Sequence, residues 1–379
     1  MKIVAALDSF KGSVSSWEAG SAVSSGIRSV DPTAETAVFP LADGGEGTVE
    51  ALASALSGTM ITRTVTGPLG LPAEARYALL KNGTAVIEMA AAAGLPLVPK
   101  DRRDPMVTTT FGVGELIRDA IFRGCRHFII GLGGSATNDG GIGMLAALGV
   151  RFTDEAGGPI PLCAGGLERL AAVDVSGLMP ELRECFFRVA SDVTNPLCGK
   201  LGCSRIFAPQ KGGTADTIPR MDAALARYAA LTKTVCPQAD PEIPGAGAAG
   251  GLGFAFLAFL PSSLSPGVNI VMEETKLEDA IRTADLVITG EGRLDAQTAM
   301  GKAPAGVAAL AKKYGKPVIA LAGCVTEDAE SLNEHGIDAF FPILRTVMTP
   351  EEAMDPENAR RNLEKTAAQA FRLFRLSRF

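Results

Sequence analysis

The chain has 379 residues, 47% of them apolar, with a formal net charge of −6 and a pI near 5.2. That length supports two domains of ordinary size, and that composition excludes a disordered chain. The acidic balance, with no basic patch, speaks against a nucleic-acid partner, and the longest strongly apolar run, residues 253–260, is too short to span a bilayer.

Residues 3–7 form an apolar run ending at Asp8, followed by SFKGS and an amphipathic helical stretch over about 16–30 that closes at Asp31-Pro32. A strand over 36–41 leads into ADGGEGT, a helix over about 48–56 follows, and a third strand covers 61–65. This β-α-β-α-β alternation predicts a parallel sheet with helices on its faces. Two β-type runs, 73–80 and 84–88, are joined by Lys81-Asn82-Gly83, a hairpin signal. A helix over about 113–122 then leads into RHFIIGLGGSATNDGGIGMLAALGV, residues 126–150.

That stretch organises the chain. Residues 127–131 have the length and composition of a buried strand, 144–148 read as helix, and six glycines from Gly131 to Gly143 are interleaved with Ser135, Thr137, Asn138 and Asp139. A strand, a glycine-rich turn and a helix N-terminus make a ready anion site, because bare amides and the helix dipole point at the ligand. The alternative is a tight turn between packed elements; the polar quartet favours the ligand.

Further on, a second hairpin is expected around Asp154 to Gly158, then a strand over 187–190 ending in SDVTNP, a long helix near 215–234 and an Ala/Gly-rich helix near 248–260. The PGAGAAGGLG segment before it reads as a hinge or as a close-packed helix start. From residue 286 the alternation returns: a strand into GEGRLDAQT, a helix from about Pro304, a strand over 318–321, a helix, a strand over 339–343, and a C-terminal helix from about Pro356. The expected plan is one doubly wound α/β domain from residues 1–70 and 285–379, with a second α/β domain, residues 71–284, inserted in it.

Ligands of open parallel sheets bind outside the carboxyl ends of the strands, and the charged motifs fall there. Asp8, Ser9 and Lys11 follow the first strand; Asp43, Gly44, Gly45 and Glu46 follow the second. Gly133, Gly134, Ser135, Asn138 and Asp139 follow the strand at 127, Asp192 the strand at 187, and Glu291, Arg293, Asp295 and Lys302 the strand at 286. Any single acid there can be a turn former or cap. Together they offer carboxylates, glycine amides and a few lysines, the equipment of Mg²⁺-assisted phosphoryl transfer. Lys211 in FAPQKGG is a weaker candidate on the same grounds. Asp295, Asp192 and Lys11 are the expected catalytic residues, with Asp192 and Asp295 also the candidate Mg²⁺ ligands. The other residues named are expected to bind substrate or phosphate.

Two histidines leave little room for a zinc site or a Ser-His-Asp triad, and seven scattered cysteines without a C-x-x-C pair suit free thiols in a reducing cytoplasm. The start of the chain enters a strand at once and does not read as a signal peptide. No P-loop is present, since the Gly-Lys pairs at 199, 301 and 315 lack the upstream glycine. Gly131, Gly133 and Ala136 match a dinucleotide fingerprint with Asp154 or Glu155 at about the right distance, so a dinucleotide-dependent oxidoreductase of a small hydroxy acid is the alternative enzyme. Glycines in the first turns of its helix would count against it. A non-catalytic binding protein for small acids is a third possibility.

DSFKGS, LADGGEGT, GLGGSATNDGG, SDVTNPL, PQKG, PGAGAAGGLG and TGEGRLDAQT with GKAP occur in this order along nearly the whole chain. In these motifs the sequence resembles the bacterial type 1 glycerate kinases. The resemblance implies a flavodoxin-like domain made from both chain ends with an inserted α/β domain. It also implies ATP-dependent phosphorylation of D-glycerate, with Mg²⁺ and with the 2-hydroxyl favoured as acceptor. Ala6-Leu7 stands where the family often has Ala-Pro, and Ala296 where a glycine is frequent; neither departure removes a charged group.

Overall fold

The computed structural model describes residues 1–300 and 302–376; Gly301, the first residue of GKAP, lies outside them. The strands in chain order are β1 (Lys2–Leu7), β2 (Glu35–Pro40), β3 (Thr59–Thr66), β4 (Pro72–Leu79), β5 (Thr84–Glu88), β6 (His127–Gly131), β7 (Arg151–Thr153), β8 (Ala172–Asp174), β9 (Phe186–Ala190), β10 (Ser262–Ser265), β11 (Leu286–Leu294), β12 (Val318–Val325) and β13 (Ala339–Pro342). The chain divides into two compact units. The terminal unit holds residues 1–43, 50–57 and 268–379, and the inserted unit holds 44–49 and 58–267.

The terminal unit is built on a five-stranded sheet in the order β13-β12-β11-β1-β2, with every neighbouring pair parallel. Numbered within the sheet, that order is 2-1-3-4-5, the flavodoxin-like arrangement, and its reversal point lies between β1 and β11. The central strands are apolar on both faces, as a doubly covered parallel sheet requires. On one face Ile3, Ala5, Leu7, Ile288 and Leu321 pack with Val23 and Ile27 of the helix Ser16–Val30 and with Leu363 and Phe371 of the helix Pro356–Leu376. The helix Ala303–Lys313 packs on the same sheet with Pro304 in its first turn. The helix Ser16–Val30 starts where expected because Ser15 and Glu18 form a capping box. At Gly290 of β11 a Cβ would come within 2.1 Å of the Leu321 carbonyl oxygen, so the strand can pass β12 there only as glycine.

The inserted unit has a six-stranded sheet, β10-β9-β6-β5-β4-β3, in which β10, β9, β6 and β5 are parallel and β4 and β3 antiparallel. This corrects one expectation. Residues 59–66 are not the third strand of a terminal β-α-β-α-β sheet; they pair antiparallel with β4 through the turn at Gly67–Gly70. Residues 268–284, placed in the insert from sequence, belong to the terminal unit, where they include most of the helix Gly267–Glu274 and the helix Leu277–Thr283, neither of them read from sequence. The expected hairpin around Asp154 to Gly158 reduces to one bridge, Thr153 to Pro159, and β7 pairs instead with β8. The hairpin β4-β5 forms as predicted, with Gly83 at φ +84. The core is aromatic at its centre, with Phe128 stacked on Phe187 at 4.6 Å and Tyr228 edge-on to Phe254 at 5.4 Å. Among the described residues no helix is long and apolar enough to cross a membrane.

Candidate active site

In the terminal unit a cavity of about 630 Å³ opens at the carboxyl ends of the sheet strands, with lining from both sides of the reversal of strand order. Eight of the expected residues line it: Asp8, Ser9, Lys11, Asp43, Glu291, Arg293, Asp295 and Lys302. Most are there because a strand ends nearby, and Lys302 because the helix Ala303–Lys313 starts there. Asp8 and Ser9 follow β1, Asp43 follows β2, and Glu291 and Arg293 are among the last residues of β11, which runs on past the expected LVIT. Sequence reading missed the rest of the lining, including Cys324 on β12 and a group of apolar residues after β13.

The charges are coupled. Asp8 is buried, and its Oδ1 accepts the Ser9 amide at 2.6 Å. Burial, and next the charge of Asp43, pushes its carboxyl up to about 7. Lys11 donates to Asp43 Oδ2 at 3.0 Å; partial burial acts to lower its pKa, but Asp43 and the neighbouring carboxylates outweigh it and hold the ammonium above its ordinary value. Burial also raises Glu291, whose Oε1 accepts the Thr298 hydroxyl at 2.9 Å. Asp295 is engaged on both oxygens. Its Oδ1 accepts the Thr298 amide at 3.2 Å and lies 3.4 Å from Lys302 Nζ, and its Oδ2 lies 3.5 Å from Arg293 Nε.

The other expected residues lie in the inserted unit. The boundary between units falls inside ADGGEGT, so Gly44, Gly45 and Glu46 belong to the inserted unit and Asp43 to the terminal one. The glycine-rich loop after β6 is mostly interior. Gly133 and Gly134 reach the surface, while Ser135, Asn138 and Asp139 are buried. Asp139, expected to face a ligand, instead accepts four internal donors: the Thr110 amide and hydroxyl, both at 2.8 Å to Oδ2, Gly143 N at 3.3 Å to the same oxygen, and Gly141 N at 3.1 Å to Oδ1. Burial pushes its pKa up and those bonds oppose the shift. Asn138 donates to Ser204 Oγ at 2.8 Å. Lys211 is 2% exposed and donates to Ser135 Oγ at 2.8 Å and to the Thr137 carbonyl at 2.6 Å. At Gly250, with φ +69, a Cβ would meet the Thr137 carbonyl oxygen at 2.1 Å, so PGAGAAGGLG is a close-packed support for this loop and not a hinge. Asp192 is exposed, and its Oδ1 accepts Gly267 N at 3.0 Å.

The loop also decides the dinucleotide question. A fingerprint needs its helix to open at the second glycine. Here the chain after Gly133 is non-helical until Ile142, with left-handed residues at Gly134, Gly140 and Gly141, so the match of Gly131, Gly133 and Ala136 has no matching geometry.

Residues 3–375 match the model of the glycerate kinase family. The chain belongs to that family. It is 48% identical over 368 residues to a glycerate kinase of Bacillus subtilis (strain 168), covering 97% of this chain and 96% of the relative. It is 50% identical over 354 residues to the glycerate 2-kinase of Escherichia coli (strain K12), covering 93% of each chain. A crystal structure of a Salmonella typhimurium LT2 protein provisionally named glycerate kinase 2 superposes with a TM-score of 0.92 at 48% identity, covering 100% of this chain and 99% of the other. The α/β fold with parallel sheets is that of this glycerate kinase family, and family members are kinases.

Proposed function

We propose that this chain transfers the γ-phosphoryl group of ATP to the 2-hydroxyl of D-glycerate, releasing 2-phosphoglycerate and ADP. The family membership supports the reaction class, and the name glycerate 2-kinase carried by the Escherichia coli relative supports the position. The observation that carries the reading is geometric: the buried carboxyl of Asp8 shares one cavity at the strand ends with Lys11, Arg293 and Lys302, and burial pushes that carboxyl up to about 7. A base with a pKa near the working pH, set beside cations, is what phosphoryl transfer to an alcohol asks of a protein.

The roles follow from the partners. Asp8 takes the hydroxyl proton; of the other cavity acids proposed from sequence for that role, Asp295 is tied down by Thr298, Lys302 and Arg293, and Asp43 is ion-paired with Lys11. Lys11, Lys302 and Arg293 absorb phosphate charge. Of the inserted unit's expected residues, Gly45, Glu46, Gly133, Gly134 and Asp192 reach that unit's surface, while Gly44, Ser135, Asn138 and Asp139 are buried and shape its loops.

Among the described residues no three His, Cys, Asp or Glu converge to hold a metal ion. The carboxylate-rich cavity nevertheless fits Mg²⁺ bound chiefly through phosphates with one or two protein oxygens, for which Asp295 is the candidate; Asp192 does not line it. When bound, the ion would neutralise charge on the transferring phosphoryl group. Seven free cysteines suit the cytoplasm as the place of action.

The test mixes purified protein with D-glycerate, ATP and Mg²⁺ and measures ADP, with phosphorus NMR of the product. The expected outcome is glycerate-dependent ADP and a 2-phosphoglycerate signal. ADP release no faster than in a glycerate-free control would defeat the kinase reading, and a 3-phosphoglycerate signal would move the acceptor to the other hydroxyl.

A further inference from the structure

We propose that the cavity of the terminal unit is the nucleotide site, taking a purine nucleoside polyphosphate with its base on an apolar wall and its phosphates toward the strand ends. The inference rests on the kinase reading above and assigns one of that reaction's two substrates to a place.

Three observations carry it. The first is size. At about 630 Å³ the cavity falls well within the range of about 300–1,000 Å³ typical of sites that enclose a drug-sized ligand, and it far exceeds what glycerate alone would fill.

The second is the division of its lining. One wall is apolar: Ile343 and Leu344 after β13, then Pro350, Ala353 and Met354 of the short helix Pro350–Met354. Leu344 is 41% and Met354 49% exposed, so this wall presents uncovered apolar surface. Every carbon of glycerate carries oxygen, so the acid has no apolar face to place there. A purine has two. The helix that supplies Met354 is itself fixed by a capping box of Thr349 and Glu352, so the wall is preformed.

The third is the charged part of the lining. Lys11, Arg293 and Lys302 are held in the cavity by Asp43 and Asp295, which orients three cations toward one space. Ser13, also in the lining, has a buried Oγ with no partner among the described residues, a spare hydroxyl for a phosphate or ribose oxygen. Together the lining offers an apolar surface for a base, cations for phosphates and a spare hydroxyl for a ribose or phosphate oxygen.

Cys324 makes the test direct, because its exposed thiol lines the cavity. The full-length protein is alkylated with iodoacetamide, and modification at Cys324 is timed by peptide mass spectrometry, with ADP or D-glycerate as the added ligand. ADP at about ten times its Kd, measured separately by calorimetry, should slow alkylation of Cys324 about tenfold, since only the free fraction reacts. D-glycerate alone should leave the rate unchanged. Calorimetry that shows ADP bound while Cys324 reacts at its free rate would overturn the assignment and leave the kinase reading intact, as would protection by glycerate without protection by ADP. Absence of both ADP binding and glycerate-dependent turnover would defeat the kinase reading, and the assignment with it. A second variant gives an independent readout. Leu344→Glu, a change at an exposed position, should raise KM for ATP about tenfold or more, the scale of one lost apolar contact, with KM for glycerate unchanged. A rise in KM for glycerate alone would overturn the assignment.

Discussion

Lys11 places its ammonium 3.0 Å from Asp43 Oδ2, and both charges act on the buried carboxyl of Asp8, in opposite directions. The lysine side chain is 61% exposed, so the pair contributes little to stability and its value is electrostatic. Lys11→Met should lower kcat/KM by more than about tenfold, or about 1.4 kcal/mol of transition-state binding. The melting temperature should move by no more than an ordinary surface change, within about 0.5 kcal/mol of stability. Wild-type kcat/KM in the variant would return Lys11 to the role of a solvated partner of Asp43.

The same triad predicts opposite shifts in the pH profile. If Asp8 is the base, kcat/KM falls on the acid side with a midpoint near its raised value of about 7. Lys11 lowers the Asp8 pKa, so Lys11→Met should move that limb to higher pH. Asp43 raises it, so Asp43→Asn should move the limb to lower pH. Rate profiles of the two variants that shift in the same direction would remove Asp8 from the role.

Asp8→Asn separates function from stability. A carboxyl raised from 3.8 to about 7 on folding binds its proton more tightly in the native state, so its charge destabilises the fold above about pH 7, and the penalty lifts as pH falls through 7 toward 3.8. Asparagine never carries that charge and keeps an oxygen for the Ser9 amide. The variant should lose about 10²- to 10⁴-fold in kcat, yet unfold at higher denaturant than wild type at a pH of about 8, with the gain vanishing below a pH of about 4. Asp295→Asn, which keeps an oxygen for Thr298, should retain the melt and lose less kcat than Asp8→Asn. The reverse ranking of the two variants would restore Asp295 as the base.

Much of this was legible in the chain. β6 spans residues 127–131 as read, because a short apolar run bounded by a basic pair and a glycine has no other length to adopt. The charged half of the cavity was legible because Asp8, Asp43 and Asp295 follow strand ends, while Glu291 lies within β11, which runs on past the expected LVIT. β3 was assigned to the wrong sheet because its alternation fits a parallel or an antiparallel partner equally, and only the Gly67–Gly70 turn distinguishes them. β10, the polar run SSLS, carries no alternating apolar signal and was not read at all. The apolar wall lies in segments without a motif. Asp139 was ambiguous in principle, because an acid among glycine amides serves a ligand or its own loop with the same composition.

That ambiguity is testable. Asp139 accepts four donors in a fully buried setting, and asparagine would turn an NH₂ toward N–H groups. Asp139→Asn should destabilise the protein by roughly 2–4 kcal/mol, read as a lowered denaturation midpoint, because buried donors lose their acceptor. Unchanged stability with lost activity would mean that the carboxylate faces a ligand after all.

Lys211 gives the last prediction. Its ammonium is buried, and both of its hydrogen-bond partners, Ser135 Oγ and the Thr137 carbonyl, are neutral. Burial therefore dominates and pushes the lysine down to about 8, against smaller opposing effects of Cys203 and Asp139. The sign of the linkage follows. Between about 8 and 10.5 the unfolded chain holds the lysine proton and the folded chain does not, so stability rises with pH in that window. Below about 8 both states are protonated and the full burial penalty is present. Lys211→Met removes the titration while filling similar space. The difference in unfolding free energy, variant minus wild type, should therefore fall as pH rises from about 8 to 10.5, because only the wild type gains. Taking the difference cancels groups common to both proteins, such as the exposed lysines and Cys125. Cys203, which feels Lys211, is already raised to about 12 and titrates above the window in the folded chain. Urea unfolding of both proteins at a series of pH values supplies the curve. A difference that stays flat up to about 10.5 would mean that Lys211 keeps its ordinary proton affinity, and that the loop from Ser135 to Asp139 shields it less than its burial implies.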